Sequence, residues 1–276
     1  DGFNSYEKVI AVTVKSTKIP VTSLAFSQAT YSTTVGGNVQ MNVTINPVGA
    51  TNQNITWTSS NPSVASISET GAVTALAVGN TTIKASSTDG PSTTCILYVS
   101  AVPVSSVTLN VPSHSMYVYD EYQLQATVNP ENATNKTITW SSSNDAVATV
   151  TEAGLVTAVK AGVCDITATS SNNKIATCQI TVLDIEPENI TLSISSCKLD
   201  IGKTQPVTVS FNPSNATNTS LTWLSNNVTI AKVSDEGVIT AVKAGTATIT
   251  VTTANGISKQ ITVTVNRSEE HTSELQ

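Results

Sequence analysis

Charge is scarce in this chain of 276 residues. Charged residues make up 12%, about half of the ~25% usual in soluble domains, which excludes a coiled coil and charge-driven disorder. Thirteen basic residues face 19 acidic ones, for a net charge of −6. A nucleic-acid footprint needs a basic patch, so no nucleic-acid partner is expected. Aromatics are only 4%, with 4 Cys and 2 His. Outside the last ten residues the one histidine is His114. Catalysis needs convergent groups, and a lone imidazole builds neither a Ser-His-Asp nor a metal-His cluster. There is no HExxH, no Cys-x-x-Cys, no phosphate-binding glycine loop and no nucleophile elbow. No run approaches the ~20 apolar residues of a membrane-spanning helix. The reading is a protein that is not an enzyme, needs no cofactor and crosses no membrane by helix.

Thr, Ser, Val, Asn and Ala fill most of the sequence, and they recur strictly. Trp57, Trp140 and Trp223 are 83 residues apart, as are Pro47, Pro130 and Pro213. Gly71, Gly154 and Gly237 keep the spacing, and so do Gly79, Gly162 and Gly245. Three copies are placed at 20–102, 103–185 and 186–266. Such a unit exceeds the 20–50 residues of solenoid repeats and is long enough to fold alone. Residues 1–19 contain VIAVTV, which matches the closing run of each copy and reads as the end of a truncated upstream copy. The start at Asp1, without Met or signal peptide, reads as a removed leader or a fragment. Residues 267–276, RSEEHTSELQ, carry the chain's one Arg and break the Thr/Val pattern. They read as a sequencing-adapter artefact, and without them the net charge is −4.

Within a copy the apolar residues alternate with period two, the mark of half-buried strands. In the second copy Val107 and Leu109 alternate, then Met116 and Val118, then Leu124, Ala126 and Val128. Turns fall at Asn129-Pro130, Gly154, Gly162 and Asn172-Asn173. That predicts seven or eight strands per copy and an all-β fold, a two-sheet sandwich or small barrel. End-to-end repetition favours tandem sandwiches in an extended array.

The stretch ITWSSSNDAVATVTEAGLVTAVKAGVCDITATS from Ile138 has close counterparts at Ile55 and Leu221. It resembles the bacterial immunoglobulin-like domain, group 2, of invasin- and intimin-type surface proteins, over about nine-tenths of the chain. The resemblance implies Ig-like β-sandwiches in a secreted or cell-surface protein, and much less an activity. Three functions are open: a stalk or spacer, an adhesin segment contacting host protein or glycan, or accessory modules of a carbohydrate-active enzyme or phage particle. Each implies a monomeric array within a larger chain.

Several residues stand out as candidates. Trp57, Trp140 and Trp223 are expected in the core, and the six repeating glycines in turns, Gly154 and its equivalents with positive φ. MYVYDEY at 116–122 departs from the repeat. If Met116 and Val118 point inward, Tyr117 and Tyr119 face solvent as a candidate ligand patch, where the other copies have Thr34 and Gly36 or Asp200 and Gly202. Cys95 and Cys178 share one repeat position with Ile261, a small apolar slot. Cys164 and Cys178 are a candidate disulfide across the last hairpin. For metal, Asp184, Glu186 and Glu188 at the second junction, with Asp120 and Glu121, are the Ca²⁺ candidates, although relatives suggest this more than spacing does.

Overall fold

The computed structural model describes residues 7–15 and 17–267. Of the segment read as an artefact, residues 268–276 lie outside the described residues. All regular structure described is β-strand: 27 strands, nine to a repeat. In the first repeat these are β1 (Ser23–Phe26), β2 (Thr30–Thr34), β3 (Asn38–Gln40), β4 (Val43–Asn46), β5 (Ile55–Ser59), β6 (Ala65–Ile67), β7 (Ala72–Ala75), β8 (Gly79–Ser87) and β9 (Ser92–Ser100). Alternation had suggested seven or eight. The added pieces are three-residue strands such as β3 and β6, too short for a period of two to register.

The first repeat's larger sheet has the order β2-β9-β8-β5, and a three-stranded sheet has the order β3-β7-β6. The pair β1-β4 extends the sandwich at its leading end. β2 runs parallel to β9, whereas β8 and β9 form an antiparallel hairpin. Alternation explains the packing. In β8, Thr81, Ile83, Ala85 and Ser87 point inward while Lys84 points out. Ile83 and Leu97 are fully buried with Met41 and Val73, each large side chain contributing about 2 kcal/mol by leaving water. The positions persist at 83-residue intervals as Ile166 and Ile180, then Ile249 and Val263, all fully buried. Each repeat thus has its own core cluster.

The chain divides into two compact units: Asp1–Val107 with Val128–Thr137 and Ser170–Lys174, and Thr108–Thr127 with Ile138–Thr169 and Ile175–Gln276. The first holds the first repeat and the leading end of the second. The other holds the remaining strands of the second repeat and the whole of the third. There Ser113–Tyr117 runs parallel to Ile175–Leu183, as Ser196–Asp200 does to Ser258–Asn266.

Two expectations change. The tryptophans are half-buried and flank the core clusters rather than filling them. The reason is sheet order: β5 and its equivalents lie at a sheet edge, so each indole closes the open flank of the sandwich. Its ring abuts Gly71, whose φ is +81°, and a Cβ there would lie 2.8 Å from Met41 O and 3.0 Å from Trp57 Cε2. Glycine at this turn is required twice over, by backbone conformation and by the indole. Gly154 and Gly237 repeat the arrangement, with φ +81° and +77°. Gly79, Gly162 and Gly245 open the long strands of the last hairpins.

The second change concerns cysteine. All four thiols are free. Register pairs Cys164 with Ile180 and Cys178 with Ile166, so the two sulfurs are offset by two positions and no bridge forms. Cys95, Cys164 and Cys178 are buried, and burial raises each thiol pKa, that of Cys95 to about 11.

Candidate functional site

The most regular polar geometry lies where one repeat hands over to the next. The closing strand of the first repeat stays bonded to its last residue, since Val35 N donates to Ser100 O at 3.0 Å. Two residues on, Val102 N donates to Thr134 Oγ1 at 2.8 Å, and Thr134 N returns a bond to Val102 O at 2.9 Å. Asn172, at the tip of the last hairpin of the second repeat, donates Nδ2 to Val104 O at 2.8 Å. Ser105 N then donates to Asn129 O at 2.7 Å and begins the next strand. The free linker is therefore Ala101 alone.

The second junction is built alike. Val118 N holds Leu183 O at 3.0 Å, Ile185 exchanges bonds of 2.8 and 2.9 Å with Thr217, and Asn255 Nδ2 donates to Pro187 O at 2.7 Å. The lone residue between strand and latch is Asp184, and its Oδ1 accepts from Thr217 Oγ1 at 2.8 Å. At the leading end of the first repeat, Ile19 makes the same exchange with Thr51. There the hairpin tip is Asp89, whose carboxylate accepts from Val21 N at 3.0 Å and pairs with Lys18. The bond from Lys18, and then that from Val21, hold the Asp89 carboxyl below its ordinary pKa. The latch was not read from the sequence. Its one signal is the 83-residue recurrence of Thr51, Thr134 and Thr217 and of Asp89, Asn172 and Asn255, which is inconspicuous in a chain rich in Thr and Asn.

Tyr117 and Tyr119 stand where the alternation put them, 53% and 68% exposed, over the buried Met116 and Val118. Tyr119 has φ 76°, matching Gly36 at 80° and Gly202 at 82°. Its N–H is held by Ala158 O at 3.0 Å, as Gly36 is by Ala75 O and Gly202 by Ala241 O. The turn fixes the left-handed backbone, and only this repeat puts a side chain on it. Tyr117 also borders a cleft of about 660 Å³ with Asp120, Glu186, Glu188 and Ile257.

The structure thus brings Asp120 beside the junction acids, which the sequence had kept apart. They are engaged locally: Asp120 Oδ2 accepts from Tyr117 N at 2.8 Å, and Glu186 Oε1 from Asn218 Nδ2 at 2.9 Å. Among the described residues no group of three or more His, Cys, Asp or Glu side chains could hold a metal ion. His114 stacks on Tyr122 with ring centroids 3.7 Å apart. Hollows beside Trp57, Trp140 and Trp223 recur in all three repeats and are a product of the edge strand. Among the described residues no helix is long and apolar enough to cross a membrane.

Comparison with known proteins agrees with this geometry. The chain is 32% identical over 158 residues to an uncharacterized protein of Clostridium acetobutylicum, covering 56% of this chain and 16% of that one. It is 35% identical over 170 residues to an Ig-like virion protein of Serratia phage KSP90, covering 59% of this chain and 66% of that protein. It is 33% identical over 128 residues to an alpha-L-arabinofuranosidase of Bifidobacterium longum, covering 44% and 11%. The chain spans less than two thirds of each of these relatives. Residues 20–97, 103–180 and 187–269 each match one family, and the chain belongs to it: the bacterial Ig-like domain, group 2.

Proposed function

We propose that these repeats are a non-catalytic spacer in a secreted or surface-exposed bacterial protein, setting the distance between a functional part and its support. The observation that carries this is the junction: a single linker residue between a fully bonded closing strand and a latch of three to four hydrogen bonds. A flexible linker would not need such a seat, and each buried or half-buried bond contributes about 1 kcal/mol against bending. Relatives that include a virion protein and a glycosidase fit a module serving unlike partners. A fold shared by many functions suits that use.

Nine-residue strands span about 30 Å at ~3.3 Å per residue, and loops bring a repeat to roughly 35–40 Å. Small-angle scattering of the 276-residue chain should give a maximum dimension on the order of 110 Å. A compact particle would reject the spacer. A second reading, contact with a host protein or glycan through Tyr117 and Tyr119, is favoured by the ring held on a left-handed backbone, a strained position of the kind found at functional sites. Equal binding of the parent and a Tyr117→Ala/Tyr119→Ala variant to a glycan and matrix-protein array would remove it.

A further inference from the structure

The segment 9–17, VIAVTVKST, stands one repeat length upstream of Ser92–Ser100, and hence of the later closing strands Ile175–Leu183 and Ser258–Asn266. Register places Val12 on the position of Cys95, Cys178 and Ile261, and Val14 on that of Leu97, Ile180 and Val263. Those six side chains are all buried. Thr13 and Lys15 fall on the outward positions of Ile96 and Tyr98. Here, however, the inward set has nothing to face: Ile10, Val12 and Val14 are 74%, 78% and 84% exposed.

The segment leads into a junction of the same construction. Lys18 occupies the place of Ala101 and Asp184, and Ile19 is latched to Thr51 as Val102 is to Thr134. The leading end of the first repeat therefore carries the seat that elsewhere receives a preceding repeat.

We infer that residues 9–17 are the closing strand of a further Ig-like sandwich, and that the partner this exposed strand fits is a sandwich body of the same type lacking that strand. The segment inserts between an equivalent of β2, running parallel, and an equivalent of β8, running antiparallel. Main-chain bonds to both edges give affinity, and the slots for Val12 and Val14 give register. A slip of one residue would turn the apolar set outward. The third inward position is Ser16, where the repeats hold Val99, Val182 and Val265, so the fit is weakest next to the junction. This inference is independent of the spacer reading, because any function of the array would use the same strand.

The test is a graft in the full chain. Residues 175–183 are replaced by the sequence of residues 9–17, and in a companion chain by that of residues 8–16, which puts Lys15 on the buried position of Val182. The in-register graft should keep cooperative unfolding of the second repeat, with its melting temperature lowered by no more than about 10 °C. The shifted graft should lose that transition and the amide protection of Gly162–Ser170. A Ser16→Val version of the in-register graft should recover most of any loss. If the in-register graft unfolds the second repeat even with Ser16→Val, or if the shifted graft folds as well as it does, the inference is overturned.

Discussion

Gly36 and Gly71 offer a separation of two physical effects inside one repeat. Both have left-handed φ, +80° and +81°. A Cβ on Gly36 would meet nothing within 4 Å, whereas on Gly71 it would meet Met41 O at 2.8 Å and the Trp57 ring at 3.0 Å. Gly36→Ala should thus cost only the left-handed penalty, about 1–2 kcal/mol. Gly71→Ala should add the displacement of an indole wedged against the core, about 1–3 kcal/mol more. For a unit of this size 1 kcal/mol moves the melting temperature by roughly 4–8 °C, so the two variants should differ by about 4–24 °C. Calorimetry of the full chain reads this directly, because the other two repeats serve as internal standards. The same excess is expected for Gly154→Ala, whose Cβ would lie 2.8 Å from both Leu124 O and Trp140 Cζ2. Equal costs for Gly36→Ala and Gly71→Ala would refute the argument that the indole, and not the turn alone, excludes a side chain there.

Other outcomes rest on the same structure. Tyr119→Gly should raise the melting temperature of the second repeat by a few degrees, since it relieves about 1 kcal/mol of left-handed strain; an unchanged or lower value would show that the ring offsets it. The Asp89 pKa is depressed in the folded chain, so its contribution is present above the ordinary value near 3.8 and is lost as pH falls through the depressed one. Acid should therefore weaken the leading latch of the parent more than that of Asp89→Asn, and a carboxyl titrating at or above 3.8 by NMR would contradict this. A thiol-specific reagent should find four thiols in unfolded, unreduced protein and react slowly with buried Cys95, Cys164 and Cys178 in the native state; fewer than four would mean a bridge.

Much of the fold was legible because the repeat states its own register. Alternation at Met116 and Val118 placed Tyr117 and Tyr119 outside, and the recurring glycines marked turns that only glycine makes cheaply. The tryptophans misled because large apolar residues are expected at the centre, and only strand order reveals that β5 is an edge. The proximity of Cys164 and Cys178 depended on a two-residue offset that no spacing fixes. The latch was opaque for another reason. Thr134 and Asn172 act through backbone atoms of Val102 and Val104, partners that side-chain chemistry in a sequence cannot display.

The central claim is that each repeat is held to the next by a one-residue linker and a latch, so that the array transmits distance. The most direct measurement is the interprobe distance distribution between nitroxides on exposed faces of the second and third repeats. It should be made in the parent chain and in Thr217→Val, which removes the bonds to Ile185 N and Asp184 Oδ1. The account predicts a narrow single distribution that broadens in the variant; a parent distribution already as broad as that of the variant would contradict it.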